Sequence, residues 1–123
     1  MRLPREEFER LVAEAIEGLP NEFAEKLENV EFIVEDHPIA EDYGKRGIGA
    51  GRLLLGLYHG VPLTKRSLFG SNLMPDRITI FQWNIERVCR TSEEIVCRIR
   101  HTVLHEIAHH FGISEQRIRE LGY

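Results

Sequence analysis

The chain has 123 residues, 42% of them hydrophobic and 29% charged, with a net charge of −4; that suits one domain, residues 1–123, built on a single core, with no room for a regulatory domain. No apolar run approaches the roughly 18 residues of a membrane span, and Met1-Arg2-Leu3-Pro4-Arg5-Glu6-Glu7 lacks the apolar stretch of a signal peptide, so a cytoplasmic protein is expected. Residues 1–42 carry 4 basic and 13 acidic side chains, net −9, and residues 43–123 carry 12 and 7, net +5; the second, basic part reads as solvated helix faces paired with the acidic segment rather than as a nucleic-acid surface.

Pro4 opens a helix whose apolar residues Phe8, Leu11, Val12, Ala15, Ile16 and Leu19 follow the 3, 4, 7 spacing of one buried face, and Pro20 is expected to end it. A short helical turn from Asn21 to about Leu27 precedes Val30–Glu35, whose alternation reads as a half-buried strand. Asp36 to Gly51 reads as a loop; its glycines at 44, 47, 49 and 51 match no phosphate-binding spacing and are taken as mobility. Arg52–Tyr58 is expected as a second strand, and Arg77–Phe81 as a third after a turn-rich stretch from Val61 to Asp76.

Thr91, with Glu94 three residues later, is a capping-box signature for a long helix over about Ser92–Phe111. On a helical wheel Val96, Ile99, Val103, Leu104, Ile107, Ala108 and Phe111 cover one side, and Arg98, Thr102, His105, Glu106 and His109 the other. The first side should pack on the sheet and the second should carry chemistry; His110 falls nearer the apolar side and reads as a packing residue or a support to a metal ligand. Cys89 and Cys97, eight residues apart with no C-x-x-C pairing, read as small core residues.

That helix contains His105-Glu106-Ile107-Ala108-His109. Two histidines four residues apart stand one turn above the other, and neutral imidazole binds Zn2+ at roughly 2.0–2.1 Å. A catalytic zinc takes three protein ligands and leaves a position for water, and a nearby carboxylate that is not a ligand takes the water's proton. Glu106 suits that second role. Gly112 is placed to stop the helix, and three residues later Glu115 stands where the metzincin pattern H-E-x-x-H-x-x-G-x-x-H sets its third ligand. Glu115 has a second reading, since Ser114 resembles an N-cap and an acid in the first turn suits the helix dipole without a metal.

These residues, with Gly60-Val61-Pro62-Leu63-Thr64, Leu73-Met74-Pro75-Asp76-Arg77-Ile78 and the closing Arg117-Ile118-Arg119-Glu120-Leu121-Gly122-Tyr123, resemble the minimal zincin family of small bacterial zinc metallopeptidases over nearly the whole chain. The resemblance implies a small α+β zincin-like fold, with three or more short strands against the long helix and shorter helices at both ends. It also implies Zn2+ held by His105, His109 and position 115, Glu106 as general base, and a peptide or protein substrate. Glu115 stands where the family has aspartate. No methionine turn follows the third ligand, as it does in metzincins, because both methionines, Met1 and Met74, lie upstream. Without a second lobe the site should be shallow. Two other readings remain: a zincin-like endoribonuclease, disfavoured by Glu106 and Glu115, and a non-catalytic module in which zinc pins the last helix to the long one. Tyr58, His59, His101 and Tyr123 are further polar groups with no spacing that singles one out.

Overall fold

The computed structural model describes residues 1–46, 53–60 and 75–123. Among these residues, six α-helices surround one three-stranded sheet: α1 (Arg5–Glu17), α2 (Asn21–Ala24), β1 (Val30–Glu35), α3 (Ala40–Arg46), β2 (Gly56–His59), β3 (Asp76–Phe81), α4 (Gln82–Arg87), α5 (Ser92–Phe111) and α6 (Glu115–Glu120). The sheet order is β1-β3-β2, with β1 parallel to the central β3 and β2 antiparallel to it. The mixed architecture is the expected α+β class.

The core lies between one sheet face and the α1–α5 pair. Ile78 and Ile80 of β3, Phe8, Leu11 and Ala15 of α1, and Ile95, Ile99, Leu104 and Ile107 of α5 are all buried there, with Phe32 and Val34 of β1 packed against them. Because strand side chains alternate, Phe81 and Leu57 point to the opposite face, where they meet Leu54 and Tyr43 in a smaller cluster. No described helix is long and apolar enough to cross a membrane.

Several boundaries differ from the sequence expectation, each for a physical reason. Helix α1 stops at Glu17, before Pro20: the Gly18 N–H closes back on the Ala15 carbonyl (3.2 Å), and Arg100 of α5 also donates to the carbonyls of Ala15 (3.0 Å) and Glu14 (3.2 Å) at that end. Helix α3 lies inside the expected loop; the Ile39 N–H donates to Asp42 Oδ2 at 2.9 Å, a start signal the surrounding Pro38 and Gly44 obscure. Of the four glycines in that loop, only Gly44 lies within the described residues. Ladder pairing in β2 runs Gly56–His59, with Leu53–Leu55 outside it and Arg52 beyond the described residues, while β3 starts one residue early, at Asp76. The turn-rich stretch falls outside the described residues except at its end.

Helix α4 has no counterpart in the sequence reading, because three of its four buried residues, all but Ile85, are polar. Gln82 Nε2 donates to the Leu3 carbonyl (2.9 Å), Asn84 Nδ2 to the Leu54 carbonyl (2.7 Å), and Glu86 Oε2 accepts from the Leu3 N–H (2.9 Å). Buried polar residues give no apolar period to read. Both thiols are free, and only Cys89 is buried; Cys97 is exposed on α5, contrary to its reading as core.

Candidate metal centre

Helix α5 is built to hold its length. Thr91 Oγ1 accepts from the Glu94 N–H (3.1 Å) and the Glu94 carboxylate accepts from the Thr91 N–H (3.2 Å), closing the capping box. After the twenty residues of the helix Gly112, at φ 71° and ψ 27°, takes the left-handed conformation that glycine adopts without a Cβ clash, and the Ile113 N–H returns to the Ala108 carbonyl at 2.9 Å. The chain turns there, and Ser114 starts α6 by accepting from the Arg117 N–H at 3.1 Å. Ile118, fully buried, plants α6 on the core, while Arg117 pairs with Glu22 of α2 and with Glu120.

This hairpin of helices brings Glu115 back onto the two histidines. Glu115 Oε1 stands 3.2 Å from His105 Nδ1 and 3.8 Å from His109 Nε2. The capping and ligand readings of Glu115 therefore do not compete: its place in the first turn of α6 is what aims it at the imidazoles. The shorter spacing is a hydrogen bond between the carboxylate and the His105 imidazole. Among the described residues no three His, Cys, Asp or Glu groups are already spaced as a metal cage. A cation held by all three groups would have to displace that hydrogen bond. The three side chains are 35%, 47% and 52% exposed, so the site is open among the described residues.

Glu106 departs from the helical-wheel expectation. It is only 6% exposed and turns toward β2, where Oε1 accepts from the Tyr58 N–H at 3.0 Å. Tyr58 is itself anchored twice more. Its hydroxyl donates to Asp76 Oδ2 at 2.6 Å, and its ring stacks on His110 with centroids 4.0 Å apart. His110 Nε2 lies 3.8 Å from the same Asp76 oxygen. His110 is exposed on α5 and touches Tyr58 and Asp76, and Phe111, assigned to the buried side, is 42% exposed and sits edge-on to both rings.

On the other flank, His101 lies 6.4 Å from the His105 ring in a near-parallel arrangement and meets the edge of Tyr123 at 5.3 Å. Burial pushes the His101 imidazole below its usual pKa, and its electrostatic interactions with His105 and Arg98 lower it further. No short-range pattern marks Tyr58 or Asp76 in the sequence; their contacts depend on which strand lies beside α5.

A sequence-family model described as "Zincin-like metallopeptidase" matches residues 27–123, leaving out α1 and α2. A conserved hypothetical protein from Thermus thermophilus has a similar solved structure, with TM-score 0.54 at 23% identity over 89% of this chain and 94% of that one, a likeness of fold. No curated protein sequence matches the chain.

Proposed function

The chain belongs to the zincin-like metallopeptidase family, and on that premise we propose that it is a zinc-dependent hydrolase of peptide bonds, with His105, His109 and Glu115 as ligands and Glu106 as general base. The observation that carries this reading is the convergence of Glu115 on two imidazoles set one helical turn apart, at 3.2 and 3.8 Å. Two neutral nitrogens and one carboxylate are a donor set that zinc accepts in hydrolytic sites. When held there, zinc supplies Lewis acidity, polarising a carbonyl and making water acidic enough to attack near neutral pH.

The remaining steps belong to the protein. The Glu106 carboxylate takes the proton of the attacking water and passes it to the leaving amine, the task of a base that is not a ligand. Its place one residue after His105 keeps it within a helical turn of both histidines, and its hydrogen bond from Tyr58 fixes which way it faces. The openness of His109 and Glu115 leaves room for an extended chain rather than a small enclosed molecule.

Glu106→Gln tests the assignment. Zinc should still bind, measured by competition with a chromogenic chelator, while cleavage of a quenched fluorescent peptide should fall by a factor of about 100 or more. Full activity in that variant eliminates Glu106 as the base. Glu115→Ala should weaken zinc binding; unchanged affinity removes it from the ligand set, and a fourth protein ligand on the bound metal would instead make the zinc structural.

A further inference from the structure

Antiparallel pairing divides the residues of β2 into two kinds. The Phe81 N–H donates to the Leu55 carbonyl at 3.0 Å, and the register pairs Gly56 with Ile80, Leu57 with Thr79, Tyr58 with Ile78 and His59 with Arg77. Since hydrogen-bonded and non-bonded pairs alternate, Leu57 and His59 direct their amides into the ladder, while Gly56 and Tyr58 direct theirs away from β3. Among the described residues β2 is an edge strand, and such an outward amide is ordinarily offered to water or to an added strand. At Tyr58 it is taken instead by Glu106, a carboxylate 6% exposed. A buried carboxylate needs donors and a buried amide needs an acceptor, and this contact serves both.

Tyr58 cannot easily drift from that position. Asp76, 8% exposed at the start of β3, accepts its hydroxyl, and His110 covers one face of its ring. Glu106 and His110 are four residues apart and so lie on the same side of α5. One helix face thus meets a single strand residue twice, once at the amide and once at the ring. We infer that Tyr58 is a positioning residue for Glu106: its side chain, held by Asp76 and His110, sets the main-chain amide that aims the general base.

This inference rests on the proposed peptidase reading for its catalytic meaning. A peptide pairing with β2 at residue 58 would compete with Glu106 for the same N–H. The strand holds the base at that position, so substrate main chain would find its partners at other positions.

Amide hydrogen exchange in the full-length protein, followed by NMR, provides the test together with kinetics of the zinc-loaded enzyme. Glu106→Ala should speed exchange at the Tyr58 amide by about tenfold or more while Leu57 and His59 change by less than about twofold. Tyr58→Phe and His110→Ala should also speed exchange at position 58. In zinc-loaded Tyr58→Phe, kcat on the fluorescent peptide should fall about tenfold with KM and zinc affinity unchanged, the scale typical of groups that orient an active-site residue. Unchanged exchange at position 58 in Glu106→Ala overturns the inference, as does equal acceleration at all three amides, which is general loosening of the strand. A normal kcat in Tyr58→Phe despite faster exchange also overturns it. Wild-type protein that binds zinc but cleaves no peptide rejects the peptidase reading, whereas the exchange arm needs no turnover and still decides whether Tyr58 holds Glu106.

Discussion

Gly56→Ala offers a direct probe of how closely β2 and α5 approach. A Cβ at residue 56 would lie 2.7 Å from Thr102 Cγ2 and 3.1 Å from the Thr79 carbonyl oxygen. Thr102 cannot readily swing away, because its hydroxyl donates to the Arg98 carbonyl at 2.8 Å and its β-branched side chain is stiff within a helix. Strand and helix must therefore separate by several tenths of an ångström. Overpacking of this kind costs about 2 kcal/mol, and the smaller entropy of the unfolded alanine chain returns about 0.7, leaving a net loss of roughly 1.3 kcal/mol. With an unfolding entropy near 2.1 cal/mol/K for each residue of the chain, Tm should fall by about 5 °C. Thermal and urea unfolding followed by circular dichroism would measure both quantities. Thr102→Ser removes the clashing methyl but keeps the hydroxyl, so the double variant should recover at least about 0.5 kcal/mol relative to the sum of the single effects. A Gly56→Ala protein as stable as wild type, or a double variant showing no coupling, refutes the close approach.

Thr91→Ala should cost about 1 kcal/mol and lower Tm by roughly 4 °C, because it opens one half of the α5 capping box; no change in the melting curve argues against the cap. The His101 shift gives a pH dependence. With its folded pKa lowered chiefly by burial, His101 binds its proton more readily in the unfolded chain, so stability is full above about pH 6.5 and declines as pH falls below it. His101→Gln should flatten that decline in urea titrations at several pH values, and an unaltered slope would remove His101 as its source. Burial also raises the pKa of the Cys89 thiol, so iodoacetamide at neutral pH should label exposed Cys97 first, with Cys89 reacting only on unfolding; mass spectrometry showing equal labelling would contradict that burial.

What the sequence conveyed follows from how far each signal reaches along the chain. The helices with an apolar stripe, α1 and α5, are legible because their periods lie within a few turns, and α6 because Ser114 supplies its cap. Helix α4 is hidden because Gln82, Asn84 and Glu86 turn inward to partners 30 to 83 residues away in the chain. The candidate ligands were visible for the same reason of reach: His105, His109 and Glu115 fall within eleven residues, and the glycine that folds them together is among them.

The surroundings of the base could not be read in that way. Whether Glu106 faces solvent or a strand depends on the rotation of α5 against β2, which the wheel leaves open by most of a residue's width. Packing decides it: Thr102 lies under Gly56, which turns the next residue on that stripe, Glu106, to the Tyr58 amide. By itself the sequence determined the helix that carries the two histidines, the turn that returns a carboxylate, and thus a candidate zinc site. Only the tertiary structure decided that the neighbouring glutamate is buried and hydrogen-bonded to the sheet edge, because that contact joins residues 48 positions apart whose amide and carboxylate leave no mark in local spacing.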